Sequence, residues 1–453
     1  MNALCRRLSV AALPLVAASL ACATRAQDNP LATAGVTLFQ NVRIFDGKAT
    51  SLSAPSNVLI KGNIIARIST APIETEPGTT VIAGGGRTLM PGLIDAHWHA
   101  MLVRPTPQEA ISGDIGYTNL VAGAEATDTL MRGFTTVRDM GGPSFGLKRA
   151  IDRGIVVGPR IYPSGAMLTV TGGHGDFRQL SELPRIVGGP LSRMEQIGGS
   201  MVVDSPDEVR LRTREQLMQG ASQIKLTAGG GVASPFSPLD VSTFTLEELR
   251  AAVEAADNWG TYVAVHAYTP AAIQRSIEAG VKCIEHGHLM DEATAKLMAE
   301  KGIWLSTQPF LEDEDKIPLP PGSPEQAKQM EVISGTDKVY ALAKKYKLKT
   351  AFGTDTLFSK ALADRQGAQL AKLVRWYTPA ETLAMATSVN GELLQLSGPR
   401  NPYPGTLGVV QENALADLLL VEGNPLDNIN LIADPARTFK VIMKDGRIYK
   451  NAL

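Results

Sequence analysis

Two histidines, His97 and His99, end the stretch Leu89-Met90-Pro91-Gly92-Leu93-Ile94-Asp95-Ala96-His97-Trp98-His99. In an extended strand, positions i and i+2 face the same side, so their imidazoles converge. Two neutral imidazoles suit a divalent transition metal such as zinc, provided other segments complete the ligand set. Taken alone, the pair also fits surface or core chemistry. The chain has six histidines: His97, His99, His174, His266, His286 and His288. Val263-Ala264-Val265-His266 and Cys283-Ile284-Glu285-His286 are again short apolar runs closing on a histidine, and Thr350-Ala351-Phe352-Gly353-Thr354-Asp355 closes on an aspartate. His288 follows His286 by two positions, so spacing alone leaves open which of them is a ligand.

Such groups need a scaffold that brings strand ends together. Eight apolar runs alternate with helical patterns: 88–94, 135–140, 160–168, 223–227, 262–266, 283–286, 303–307 and 350–352. This alternation predicts a parallel α/β architecture, and eight units predict a (β/α)8 TIM barrel with polar residues at the strand C-termini. Helical spacing over 247–258 and 271–279 is followed by Gly280 and Gly302 where helices should stop. Short β-like runs precede and follow this region, from 36–68 and from 418–449, and neither set makes a stable domain alone. They are expected to pair into one small β-sandwich, giving a signal segment over 1–26, sandwich over 27–87, barrel over 88–400 and sandwich again over 401–453.

A chain of 453 residues, 44% hydrophobic and 20% charged, can bury a large core. Its formal net charge of -1 provides no global field for nucleic acid or an anionic membrane, which favours a small molecule or dipeptide as partner. Arg6-Arg7, an apolar stretch from Leu8 to about Leu20 and small residues near Ala23 and Ala26 predict an exported protein, periplasmic or secreted. The stretch is too short for a membrane span. Cys22 permits a lipoprotein anchor, although Ser19-Leu20-Ala21 fits a lipobox poorly; the paired arginines permit twin-arginine export. A chain cut after this signal keeps only Cys283 and forms no internal disulfide.

Pro91-Gly92-Leu93-Ile94-Asp95-Ala96-His97-Trp98-His99, Lys225, His266, His286 and Gly353-Thr354-Asp355 together resemble the ligand series of the amidohydrolase superfamily. The nearest flavour is the imidazolonepropionase-like group, with Xaa-Pro dipeptidases, carboxypeptidases for N-acyl amino acids and amidohydrolases that cleave ochratoxin A. The resemblance implies two zinc ions, one on His97 and His99 and one on His266 and His286, bridged by a carboxylated Lys225. It places the ligand directly before glycine, which selects His286 in Glu285-His286-Gly287. Asp355 is then both metal ligand and proton carrier for a metal-activated hydroxide attacking an amide carbonyl. The implied activity is release of a C-terminal amino acid, with Xaa-Pro dipeptide or cyclic amide hydrolysis as alternatives and a non-catalytic binding or scaffold barrel as the rival outside enzymology. Relatives in this group form homo-oligomers, octamers among them, and the same is expected here.

Five further residues are expected to bind substrate. His174, in the glycine-rich segment after the third run, would reach the scissile carbonyl or its oxyanion. Tyr268, by resemblance, would hold the substrate's α-carboxylate. His288 would line the pocket, and Arg178 and Arg193 are possible carboxylate clamps. Gly229-Gly230-Gly231 lacks the Lys-Ser/Thr pair of a phosphate loop, so it is read as letting backbone approach the site. Two long connections, 171–204 and 310–335, are expected to be lids or binding loops. The acidic run Glu312-Asp313-Glu314-Asp315 within the second is read as a solvated turn.

Overall fold

The computed structural model describes residues 35–453 apart from Val187. The expected export signal, with Cys5 and Cys22, lies outside the described residues. No helix among the described residues is long and apolar enough to cross a membrane.

Eight parallel strand positions close into a barrel with helices outside it. Leu93–Trp98, Phe134–Asp139 and Arg160–Pro163 pair in that order. Met167–Thr169 pairs with Ile224–Thr227, and the ladder continues through Val263–Ala267, Cys283–His286, Trp304–Thr307 and Thr350–Phe352. The run expected over 160–168 is therefore one barrel position broken at Ser164-Gly165-Ala166. Its first half is tied to the next strand by Ser222 N donating to the Pro163 carbonyl at 2.8 Å and Gln223 Nε2 to that of Tyr162 at 2.9 Å. Its second half also takes an extra parallel strand, Ser200–Val202.

The run expected over 88–94 divides too. Thr88–Pro91 belongs to the terminal sheets, pairing with Val36–Ile44 and Leu418–Val421, and only Leu93–Trp98 enters the barrel. The break falls at Gly92, whose N–H donates outward to Asp417 while that of Leu93 donates to Gly133 in the barrel wall. Because hydrophobicity continues through Pro91-Gly92, sequence alone hides the change of partner.

The terminal segments form two sheets that share Val36–Ile44. One adds Ser56–Lys61, Ile64–Ser69 and Thr80–Ala83; the other adds Thr88–Pro91, Leu418–Val421, Phe439–Lys444 and Arg447–Asn451. Phe39, Val42, Ile60, Leu89, Leu418, Leu420 and Val441 share one buried cluster here. At about 25 cal/mol per Å² of apolar surface, joining both termini is what gives either half a core.

Helix boundaries follow local chemistry. Leu246–Asn258 starts at a capping box between Thr245 and Glu248 and buries Leu249, Ala252, Val253 and Ala256. Pro270–Ala279 stops at Gly280, whose φ of 102° suits glycine.

Side chains close the barrel between its last and first strands. Asn390 Nδ2 donates to the carbonyls of Ile94 at 2.7 Å and Phe352 at 2.8 Å, while its Oδ1 accepts from Phe352 N. Asp95 accepts from Thr354 N and Oγ1 and from Gln366 Nε2. Asn390→Leu leaves these buried backbone groups unsatisfied, at about 1–3 kcal/mol each. Thermal or urea unfolding should show a loss of about 3 kcal/mol or more; a loss below about 1 kcal/mol would mean that the seam does not depend on this side chain.

Candidate functional site

All eight strand positions, at their ends or in the residues just after them, bring chemistry to the C-terminal mouth of the barrel or brace it there. One cavity of about 160 Å³ is lined by His97, His99, His174, Lys225, His266, Tyr268, His286 and Asp355. His97, His286 and Asp355 offer ligand atoms within 4.8 Å of one another. Asp355 Oδ1 lies 3.2 Å from Nε2 of both His97 and His99. His286 and Asp355 adopt positive φ, 76° and 54°, a strained conformation for side-chain-bearing residues.

Each of four imidazoles has one nitrogen engaged by an outer acceptor. His97 Nδ1 donates to Glu285 Oε2 at 2.8 Å, and His99 Nδ1 to the Gly141 carbonyl at 3.0 Å. His286 Nδ1 donates to Gln308 Oε1 at 2.7 Å. His266 is the reverse: Nε2 donates to the Gly230 carbonyl at 2.8 Å, leaving Nδ1 as its lone pair. A neutral imidazole has one donor and one acceptor nitrogen, so fixing the donor fixes the acceptor that a metal takes. Burial lowers the pKa of His99, His266 and His286 and keeps them neutral, as a ligand must be. His97 is the exception: burial and Lys225 oppose its charge, but Asp355 and Glu285 raise its pKa. The donor set therefore fits divalent metal.

Lys225 is 2% exposed, and burial lowers its pKa, although Glu285 and Asp355 oppose the shift. Burial pushes the Asp355 carboxyl up, but the His97 and His99 imidazoles hold it well below the ordinary carboxylate range.

His174 sits against His266, with ring centroids 4.2 Å apart, and its Nδ1 is 2.9 Å from Ser234 Oγ. Ser234 Oγ also accepts from Gly175 N. The hydroxyl can then donate to His174 Nδ1, which leaves the proton on Nε2. The reading of the triple glycine as a site of close approach is confirmed: Gly230 supplies the carbonyl for His266, and a methyl at Gly231 would collide with the His174 ring.

Three expected substrate-binding residues are absent from the wall of the small cavity, although Arg178 lines the space outside it. His288 is absent from the cavity wall; it stacks on Phe310 at 5.1 Å, and its Nε2 donates to the Gln308 carbonyl. Arg178 is committed to Asp176, two residues away, through Nε at 2.8 Å and Nη2 at 2.6 Å. Arg193 is exposed and donates to the Gly113 carbonyl at 3.1 Å. The acidic run is also no free turn. Asp315 pairs with Arg365 and Lys372, Asp313 with Lys372 at 2.6 Å and Glu314 with Arg365 at 2.6 Å. The connection expected over 310–335 ends early, because the helix Pro324–Tyr346 occupies its second half.

Sequence reading missed the braces. Arg138, fully buried, reaches across the barrel floor to Glu285 at 2.7 Å, Tyr262 at 3.1 Å and the Ala96 carbonyl at 2.6 Å. Glu285 thus connects Arg138 to His97. Asp139 accepts from Ala100 N and Gly141 N, positioning the carbonyl that takes His99. Arg138-Asp139 at the end of an apolar run and Glu285 beside His286 were the available signals: charges inside barrel strands need partners.

The cavity opens into a vestibule of about 1140 Å³ whose walls include Leu102, Phe177, Phe236, Ile317, Leu357 and Phe358. Phe236 is 51% exposed and Leu180, also on this wall, 67%.

A (β/α)8 barrel with imidazoles and an aspartate converging at its strand C-termini is an arrangement suited to metal-assisted hydrolysis. The chain belongs to the amidohydrolase family, which residues 88–449 match. It is 31% identical over 388 residues to the ochratoxinase of Aspergillus niger, covering 80% of this chain and 75% of that protein. Among solved structures, one described as an amidohydrolase is 36% identical with a TM-score of 0.84. A prolidase complexed with N-methylphosphonate-L-proline is 32% identical with a TM-score of 0.83. Both alignments cover 92% of this chain and 100% of the other.

Proposed function

We propose that this chain is a binuclear zinc amidohydrolase that cleaves the amide bond to a C-terminal amino acid, with N-acyl amino acids bearing a bulky apolar acyl group as its substrates. The observation that carries the reading is the set of four imidazoles, each with its outer nitrogen engaged, around Asp355 in a small cavity that opens into an apolar vestibule. His97 and His99 would hold one ion, His266 and His286 the other, with carboxylated Lys225 between them and Asp355 as a further ligand. Burial that disfavours the Lys225 ammonium supports carboxylation, because only the neutral amine adds carbon dioxide. Bound metals supply Lewis acidity, which lowers the pKa of water and polarises the scissile carbonyl.

The chain's own residues do the rest. Asp355 takes the proton of the attacking water and delivers it to the departing nitrogen. His174 Nε2–H points its donor at the carbonyl oxygen as negative charge develops there. Tyr268 is buried against His266 and His286, with ring centroids at 4.8 and 5.1 Å, and offers its hydroxyl to the substrate. The resemblance to ochratoxinase supports ochratoxin A, an aryl amide of phenylalanine, as a member of the class. The resemblance to a prolidase supports Xaa-Pro dipeptides as a second reading. Export of the mature chain and assembly into homo-oligomers complete the proposal.

The test is release of free amino acid from a panel of ochratoxin A, N-acetyl-phenylalanine, N-naphthoyl-phenylalanine and Xaa-Pro dipeptides. Preference for the aryl amides supports the first reading, whereas preference for Xaa-Pro transfers the assignment to the second. Cleavage of none of them overturns both.

A further inference from the structure

The small cavity needs a counter-charge if its substrate ends in a free carboxylate. Among the described residues of its wall, the only lysines or arginines are Lys225 and Lys316. Lys225 lies within the proposed ligand set. Lys316 lies on the connection after the seventh barrel strand and lines both the small cavity and the vestibule, which places it at their junction.

Three observations make Lys316 available there. Its partner is Glu312 at 3.2 Å, four residues away, and that carboxylate is 62% exposed. An exposed pair of this kind contributes about 0–1 kcal/mol, so it yields readily to a better anion. The other cations on the vestibule wall are committed: Arg178 to Asp176, and Arg365 to Glu314 and Asp315. The backbone that carries Lys316 is also anchored. Asp313 and Asp315 are drawn to Lys372 and Arg365, and Lys316 N donates to the Asp313 carbonyl at 3.1 Å. These ion pairs engage the carboxylates of Asp313 and Asp315, so that Asp315, which also lines the small cavity, is already neutralised by Arg365 and Lys372. Glu325, on the first turn of the helix Pro324–Tyr346, is the remaining vestibule carboxylate, so an anion is disfavoured in the vestibule itself.

Resting on the reading proposed above, we infer that Lys316 is the carboxylate anchor of the substrate, a specificity-determining residue that selects amides whose leaving group is a free amino acid. Tyr268 presents a hydroxyl from another part of the same wall. A point-charge ammonium on a flexible stem suits carboxylates of differing side chains, because it imposes no fork geometry.

The experiment compares N-naphthoyl-phenylalanine with its C-terminal primary amide, which differs only in lacking the charge. For each enzyme the measured quantity is the ratio of kcat/KM values, acid over amide, so that a general loss of activity cancels. The wild type should favour the acid at least thirtyfold. Lys316→Met should collapse that preference at least tenfold, chiefly through KM for the acid, and Lys316→Arg should restore most of it. A wild-type ratio near one, or a Lys316→Met ratio equal to wild type, overturns the anchor and leaves the amidase reading standing. If no N-acyl amino acid or dipeptide is cleaved, the amidase reading fails and the anchor falls with it.

Discussion

Asp355→Asn should lower kcat/KM on the best amide substrate by at least about 10³-fold while the protein stays folded. The carboxylate faces His97 and His99 at 3.2 Å and lies within 4.8 Å of a ring nitrogen of His286, so it is central to the cluster. Asparagine preserves the shape but cannot accept and return a proton, and it is a weaker ligand than a carboxylate. The loss should fall on kcat more than on KM, because the proton moves only as the tetrahedral centre forms and collapses. Circular dichroism and the melting temperature separate this result from unfolding. A variant that keeps more than a tenth of wild-type kcat/KM would remove Asp355 from the chemistry.

The second large effect concerns stability as much as catalysis. Arg138→Met leaves Glu285 buried with a charge and without its cation. Burial pushes the Glu285 carboxyl up, but Arg138 and His97 hold it well below its ordinary range, so it is ionised in the intact protein. Breaking one side of such a pair costs about 3–5 kcal/mol, which in a chain of this size lowers the melting temperature by about 3–5 °C. Metal affinity should fall as well, since Glu285 fixes the His97 ring through Nδ1 at 2.8 Å. Adding Glu285→Gln to Arg138→Met removes the stranded charge and should recover part of the stability without recovering metal affinity. Coupling between the two positions in a double-mutant cycle measures the pair. Arg138→Met melting within about 2 °C of wild type would show that this floor does not hold the barrel.

Much of this was legible in the chain because the decisive patterns are local. The eight apolar runs pointed to the barrel and the polar residues at their ends to a site, and the family resemblance singled out His97, His99, Lys225, His266, His286 and Asp355, which the fold brings to one cavity. What escaped depends on neighbours far away in sequence. The acidic run looked like a solvated turn because its cations, Arg365 and Lys372, are 50 and 59 residues distant. Glu285 and Arg138 are 147 residues apart, so their pairing exists only once the barrel closes. Thr88–Pro91 was assigned to the barrel because hydrophobicity carries no record of which sheet a strand joins. Arg178 is a different kind of miss: Asp176, two positions away, was visible and commits its guanidinium locally.

The most direct test of the whole account is metal content of the purified protein, measured together with amide hydrolysis before and after chelation. The account predicts about two zinc ions per chain, loss of hydrolysis when they are removed and its return when zinc and bicarbonate are restored. A protein that binds no divalent metal on reconstitution, or that cleaves its best amide equally well without one, would contradict it.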